Sequence, residues 1–581
     1  MMQKTDSKNR QTQNAPWWKD EVVYQIYPRS FQDSNDDGIG DLAGITSRLY
    51  ELKKLGITMI WLCPVFASPM KDNGYDISDY RAINPEFGTM QDMDRLIEEA
   101  AKRDISLCMD LVLNHTSDKH EWFQKALADP HSRYRDYYIF KPGNKPINNW
   151  RSVFGGSVWQ KVEGEDTHYF HSFTPEQPDL NWENPEVRQE MKEIIQFWID
   201  KGIRAFRVDA INFIKKRDDY ASLEADGPDG LVKCTKGTRN QPGLGAHLAF
   251  LRDEVFKPNN VMTVAETAGI RSDQFEDYIG SNGFFSMVFD FSWADFDVAG
   301  GDEWFTRKEW TIADLARRIE SSQMNIQKFG TAANFIENHD QPRAATKYLL
   351  DQADNPKAVK TLAVLNLMLK GVPFIYQGQE LGMRNFERTA QSQFNDPSSI
   401  DQLKRAREHG YSRDEALRLI NLRSRDNARV PYPWNDDLYH GFSTVRPWLD
   451  EAQCAKTIQY EAQDNDPQSV LNFYRALIAL REDERFHKLI TEGKIEFVSV
   501  HDDVIAFRRF TNDQSMLVLC SFTDREIELA AQLRGTVLLS NDTNRMSAQD
   551  SHEQTPEQII IRLEDREALI LLEETDPDHE Q

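Results

Sequence analysis

Eight short apolar runs, separated by amphipathic stretches, constrain this chain of 581 residues more than any other feature. They are Val22–Tyr27, Thr58–Pro64, Ser106–Leu113, Ala205–Ile211, Val261–Glu266, Met287–Ser292, Ala333–Asn338 and Pro373–Gln377. Strands covered on both faces read as near-continuous apolar runs, and strands alternating with helices build parallel sheets from βα units. Eight such units are what a closed (β/α)8 barrel requires, so an α/β barrel is the expected core. Helix signals fit this order: Asn184-Pro185 ahead of VRQEMKEIIQFWIDKG offers an N-cap and a proline at the first helical position, and Gly202 closes the helix. The stretch between His115 and Pro185 is far longer than an ordinary βα loop and rich in Trp, Tyr, Phe, Gly and Pro, which predicts an inserted subdomain. Past Ile490 the runs KIEFVSV, DVIAFRRF, SMLVLCSF, TVLLS and REALILLEE predict a small antiparallel β-domain. The expected organisation is a barrel over 15–115 and 185–485, an inserted subdomain over 116–184 and a C-terminal β-domain over 486–575.

Charge narrows the partners. With 69 basic and 94 acidic residues the chain carries a net charge of −25, which argues against sequence-independent binding to nucleic acid phosphates or anionic lipid. A small neutral substrate suits such a surface. No stretch approaches the roughly 18–20 uninterrupted apolar residues of a membrane span, and the polar opening MMQKTDSKNRQTQNAP lacks the apolar core of a secretory leader. Five cysteines without a CxxC, two of them (Cys63 and Cys108) inside apolar runs, read as buried reduced thiols. A cytoplasmic monomer or homodimer without nucleic acid, membrane or organic cofactor is the expectation.

Barrel chemistry gathers at the C-terminal ends of the strands. There the sequence places Asp33 after the first run, Asp110 with Asn114-His115 in the third, Arg207-Val208-Asp209 in the fourth, Glu266 ending the fifth, and Asn338-His339-Asp340 at the seventh. Several carboxylates beside imidazoles, with no CxxC or HExxH zinc pattern, suit acid/base and covalent work on a glycosidic bond. One carboxylate must be ionised and close enough to attack; another must keep its proton near neutral pH. Arg207, two residues before Asp209 and so on the same strand face, is expected to keep that aspartate ionised. Asp209 is then the natural nucleophile and Glu266 the natural proton donor. Separately, DSNDDGIGD sets oxygen donors at Asp33, Asn35, Asp37 and Asp41, with the Ile39 carbonyl, around a glycine-containing loop. Such a set suits a hard cation such as Ca2+, although the final glutamate of an EF-hand loop is missing.

DLVLNH (110–115), QPDLN (177–181), FRVDAI (206–211), AETAG (265–269) and ENHD (337–340), with the opening WWKDEVVYQIYPRSF, resemble the α-amylase superfamily, glycoside hydrolase family 13. Within it the chain is similar to the oligo-1,6-glucosidase and α-glucosidase subfamily. The resemblance implies Asp209 as nucleophile, Glu266 as general acid/base and Asp340 as the carboxylate that grips the sugar's 2- and 3-hydroxyls. It implies His115 and His339 as glucose-binding histidines and Arg207 as the invariant arginine. It also implies that Asp76 with Arg429 clamps the non-reducing end, so that one glucose is released at a time from a small oligosaccharide. The acidic loop resembles the subfamily's structural calcium loop.

The implied activity is that of a retaining exo-α-glucosidase on short isomalto- or malto-oligosaccharides or sucrose. The alternative is a sucrose isomerase or transglucosylase working through the same glucosyl-enzyme. Ala210, after the nucleophile, leaves room for α-1,4 as well as α-1,6 aglycones. Val430, Tyr432 and Pro433 depart from the usual RDNARTPMQW pattern, near the expected leaving-group side. Lys215-Lys216-Arg217 is the candidate pocket for a phosphorylated substrate, with a solvated helix start as the plainer reading. The aromatic residues Trp150, Trp159, Tyr169, Phe170 and Phe173 are expected chiefly to build the subdomain's own core.

Overall fold

In the computed structural model, residues 16–227, 229–299, 303–533, 535–545 and 559–574 are described. The polar opening stretch up to residue 15, and residues 534, 546–558 and 575 of the expected β-domain, lie outside them. Eight strands, β1 (Val23–Ile26), β2 (Met59–Leu62), β3 (Ser106–Val112), β4 (Ala205–Asp209), β5 (Met262–Glu266), β6 (Met287–Phe289), β7 (Thr331–Asn334) and β8 (Val372–Tyr376), close into a barrel in sequence order. Every neighbouring pair is parallel. All eight apolar runs therefore overlap a barrel strand, six of them containing it whole.

The seventh run ends early. β7 stops at Asn334, and Glu337–Asp340 form a turn in which the Asn338 Oδ1 accepts from the Asp340 N–H (2.8 Å). Buried Glu337 pairs with Arg343 (3.0 Å) and accepts from the first N–H of the helix Ala344–Leu349. A strand could not satisfy these local bonds, so side-chain capping takes the backbone instead. The helix Pro185–Asp200 begins as expected: the Asn184 side chain accepts from the Glu186 N–H (2.9 Å), Pro185 occupies the first position, and Gly202 beyond the C-cap has φ +108°.

The segment between β3 and the helix Pro185–Asp200 forms the inserted subdomain. Its three-stranded sheet combines Phe140–Pro142, Thr167–Phe170 and Trp159–Lys161. Trp150, Trp159 and Phe170 are buried with Val158, Val232 and Cys234 in a separate small core. Two of those residues come from beyond β4. Trp150–Arg151 pairs in parallel with Val232–Lys233, and Arg151 is bound by Asp226 (3.2 Å) and Asp229 (2.7 Å). The expected boundary at 185 thus needs correction, because the chain around 220–234 packs with the insertion; polar segments of this kind give no period to read. Phe173 instead packs tilted against the His115 ring, 5.1 Å between centroids.

The C-terminal sheet has β9 (Lys494–Phe497), β10 (Val504–Phe510), β11 (Ser515–Ser521), β12 (Gly535–Ser540) and β13 (Ala568–Glu573) in the order β9-β10-β11-β13-β12, all antiparallel. Period-two alternation gives it two apolar faces. Ile505, Phe507, Met516, Val518 and Ile570 join the barrel's outer core, while Ala506, Leu517, Leu519 and Leu569 pack with Leu529, Ile561 and Leu563. No helix among the described residues is long and apolar enough to cross a membrane.

Candidate active site

Inside the barrel the same alternation stacks apolar residues below and polar ones above. Val23, Met59, Cys108, Ala205, Met262, Val264, Met287 and Phe374 fill the lower interior. One step further along their strands, Gln25, Asp110, Arg207, Asp209 and Glu266 reach the C-terminal mouth. Register sets Arg207 directly opposite Asp110 on β3 and Val264 on β5. Its guanidinium then serves three carboxylates. Nη1 donates to Asp110 and to Asp209, and Nη2 to Glu266, each at 2.7 Å. Glu266 also accepts from the Ala210 N–H (3.2 Å), one residue past Asp209. Ala210 itself is left-handed (φ +40°), a conformation that costs a residue with a Cβ about 1–2 kcal/mol.

The turn after β7 supplies a second group. Arg429 donates to Asp340 Oδ1 (2.6 Å) and to the His339 carbonyl (3.0 Å), and Arg425 reaches Asp340 Oδ1 (3.2 Å). Gln25 Nε2 lies 2.8 Å from His339 Nδ1, and the Tyr75 hydroxyl 2.6 Å from Nε2. An amide N–H only donates, so Nδ1 accepts and the ring proton sits on Nε2. Tyr75 in turn donates to Asp110 Oδ2 (3.0 Å), linking the two groups. The sequence reading missed Gln25, Tyr75 and Arg425; Gln25, a polar residue inside an apolar strand run, was the available signal.

The structure does not bring Asp76 to Arg429. Asp76 is fully buried and accepts from the Lys71 and Asp72 N–H groups (both 2.9 Å) and from Ser68 (3.1 Å), so it shapes the loop. Asp72, four residues earlier, stands beside Arg425 (3.8 Å) instead. Gln177 Nε2 lies 3.0 Å from both Asp72 Oδ2 and His115 Nε2. Asp72, Gln177 and His115 are thereby linked along one side of the site, with Asp72 next to Arg425.

Electrostatics differ between the two groups. One guanidinium faces three carboxylates around Arg207. Burial pushes Asp209 well above the usual carboxylate range, and the charges of Glu266 and Asp110 add to it against Arg207. Burial likewise pushes Asp110 to about 6 despite Arg207 and Tyr75. Arg207 pulls Asp209 down, as expected, but its single charge is divided among three carboxylates and desolvation outweighs it. Burial also raises Asp340, but its contact with His339 (3.2 Å) and the charges of Arg425, Arg429 and Arg207 outweigh this and hold it well below the usual range. Burial lowers His339 to about 3 and His115 to about 4, so both are neutral near pH 7.

Three neighbouring features change their meaning. Val430, Tyr432 and Pro433 are buried core rather than a leaving-group wall, and the Tyr432 hydroxyl donates to Glu380 (2.6 Å). Lys215 pairs with Glu183 and Asp218, Lys216 with Asp179, and Arg217 with Asp219, each at 2.6–2.8 Å. That run is neither an open basic pocket nor a solvated helix start. In the acidic loop, Asp33 takes four donors, the N–H groups of Asn35 (3.0 Å), Asp36 (2.9 Å) and Gly38 (2.8 Å) and the Ser443 hydroxyl (2.6 Å). Asn35 and Asp37 each accept from the N–H two residues on (3.1 and 2.8 Å), and Asp41 caps the helix Leu42–Ser47 through Gly44 (2.6 Å). The loop is thereby curled around hard oxygens, with room on Asn35, Asp37 and the Ile39 carbonyl. Among the described residues no three His, Cys, Asp or Glu side chains stand together as a ligand set.

The geometry agrees with the comparisons. An oligo-1,6-glucosidase from Parageobacillus thermoglucosidasius is 41% identical over 518 residues, 88% of this chain and 91% of that protein. A trehalose-6-phosphate hydrolase from Bacillus subtilis is 38% identical over 566 residues, 95% and 99% of the two chains. The crystal structure of isomaltulose synthase from Klebsiella sp. LX3 superimposes with a TM-score of 0.88 at 33% identity, covering 96% of this chain and 99% of that one. The alpha-amylase catalytic domain matches residues 25–493, from the middle of β1 past the last barrel strand. A (β/α)8 barrel with these carboxylates around one arginine, and relatives of this likeness over nearly its full length, make the chain a glycoside hydrolase of the alpha-amylase family, to which it belongs.

Proposed function

We propose that this enzyme is a retaining, exo-acting α-glucosidase that releases α-glucose from the non-reducing end of short α-glucosides. The observation that carries the reading is Arg207 holding Asp209 and Glu266 on adjacent nitrogens. That spacing suits a nucleophile and an acid acting on one bond with no water between them. Asp209 attacks C1 while the C1–O pair leaves with the glycosidic oxygen, which takes a proton from Glu266. Glu266, now a carboxylate, accepts a proton from water as its oxygen attacks C1 and Asp209 departs. Two inversions return the α-anomer.

The free site supports this economy of protons. Burial raises Asp209 and Asp110 against the pull of Arg207, and the positive charge that develops at C1 favours the ionised form of Asp209, so that Glu266 serves as the proton donor. Asp340, locked ionised by its arginines, accepts from the sugar's hydroxyls. Asp72, in place of Asp76, closes the pocket with Arg425 and Arg429, which supports the exo mode. Neutral His115 and His339 stand at the rim of the glucose pocket, their rings held by Gln177, Gln25 and Tyr75. An intracellular setting belongs to the same proposal, supported by five buried cysteines that are all free thiols.

The test is kcat/KM on isomaltose and maltose, with the anomer of the released glucose followed by NMR. α-Glucose from either disaccharide is the expected product. An α-1,6 preference of tenfold or more corresponds to about 1.4 kcal/mol of transition-state binding. Initial release of β-glucose would overturn the mechanism. The likeness to isomaltulose synthase favours one second reading, transfer to a sugar acceptor, and new glucosides exceeding free glucose would establish it.

We also propose that the loop over Asp33, Asn35, Asp37, Ile39 and Asp41 holds a structural Ca2+, which would tie β1 to the helix Leu42–Ser47. Chelation is expected to lower Tm, with readdition of Ca2+ restoring it; a hundredfold excess over Kd is worth about 2.7 kcal/mol. An unchanged Tm on chelation, confirmed by absence of bound metal, would remove the proposal.

A further inference from the structure

A cavity of about 620 Å3 opens at the opposite end of the barrel from the carboxylates, where Thr263 and Thr331 lie at the N-terminal ends of β5 and β7. Its lining carries Lys19, Lys257, Lys328 and Lys370 against a single carboxylate, Glu492. In a chain of net charge −25 this is a local reversal of sign. Among the described residues none of the four lysines has a carboxylate within ion-pair distance; Lys328 reaches only the Asn325 amide oxygen (3.3 Å).

Behind the lysines the cations continue. Arg481 is buried and donates through Nη2 to the carbonyls of Lys19 and Gly371 (both 3.1 Å), while its Nε and Nη1 find no partner. Arg509, also buried, donates to the carbonyls of Met368 (3.0 Å), Ile490 (2.6 Å) and Gly493 (2.9 Å), and its Nε is unpartnered. Burial lowers Lys370 to about 8, and the charged groups acting on it, Arg509, Lys19 and Lys494, are all cations. Carbonyls at helix ends offset part of the charge of Arg509. They leave the half-buried Lys19 and Lys370 without a carboxylate partner, and cations held close with no counter-charge repel one another.

We propose that this cavity binds a small phosphate-bearing anion. Convergent lysines suit a multiply charged group, the volume is that of a small-molecule site, and the partly buried rings of Trp18 and Phe329 in the wall suit a compact organic body such as a sugar ring. The anion neutralises a charge cluster that the protein itself leaves open, so its binding stabilises the fold without touching the catalytic mouth.

Calorimetric titration of the full-length enzyme with inorganic phosphate and with glucose 6-phosphate, against chloride at matched ionic strength, tests this. Saturable binding and a rise in Tm are expected, with kcat/KM for isomaltose unchanged. Lys370→Gln should weaken binding at least tenfold and, without anion, raise Tm, because it relieves repulsion. A lysine with a merely structural role would lower Tm instead. Lys328→Gln, at an exposed position, gives an independent loss of affinity. Tighter binding of the sugar phosphate identifies an ester as the ligand, and equal affinity identifies phosphate itself; both support the site. No saturable binding beyond chloride, unchanged affinity in both variants, a lower Tm for Lys370→Gln, or competition with isomaltose would each overturn it.

Discussion

Asp209→Asn is expected to lower kcat/KM on isomaltose or maltose by about 10^4-fold or more, in line with removal of a covalent nucleophile elsewhere. The substitution keeps the shape of the side chain but leaves only a neutral amide oxygen, too weak a nucleophile to bond to C1 at a useful rate. Its effect on the fold should have the opposite sign. Burial and two neighbouring carboxylates push Asp209 upward, so the ionised group is held at a cost that the amide does not bear. Tm should therefore be unchanged or higher, separating lost chemistry from lost structure. Glu266→Gln provides the contrast: about 10^2–10^4-fold loss on natural disaccharides, and far less on an aryl glucoside whose leaving group needs no proton. Retained activity in Asp209→Asn, measured on protein free of host glucosidase, would sink the assignment of the nucleophile.

Arg207→Leu should abolish activity and destabilise the fold by about 3–5 kcal/mol, the cost of stranding buried charges by removing their partner. Asp110, Asp209 and Glu266 would then face one another with no cation among them. The sign of the pH dependence follows from their shifts. Asp110 and Asp209 already sit above the ordinary carboxylate value, and loss of Arg207 raises them further. A folded state that binds protons more tightly than the unfolded one loses stability as pH rises from the unfolded pKa through the folded one. The penalty should be small near pH 4 and largest above pH 7, as read by denaturant unfolding at a series of pH values. A penalty independent of pH would mean that Arg207 acts through packing alone.

Much of this was legible in the residues. The eight apolar runs state a parallel barrel, because a strand covered on both faces needs apolar side chains along its whole length. Polar residues at the ends of such runs, Asp110, Arg207, Asp209 and Glu266, could be placed at the mouth because period two puts residues of one strand on one face. The C-terminal strands were legible for the same reason. Their regular alternation is local, and local patterns survive in one dimension.

What the sequence could not decide is which groups meet. Asp72 and Asp76 lie in one short polar segment with no period, and only the turn over 70–76 shows that one caps the backbone while the other faces Arg425. Tyr432 read as a change in the leaving-group wall and proved to be a buried donor to Glu380. The Asp209 carboxyl was expected to be held low by Arg207, but its state depends on burial and on how many carboxylates share that arginine, both properties of the assembled barrel. The sequence by itself thus determined the fold and placed Asp110, Arg207, Asp209 and Glu266 at the mouth, since period and residue type are written along the chain. Tertiary structure alone decided the partners and the protonation, since distance and desolvation exist only once strands distant in sequence are brought together.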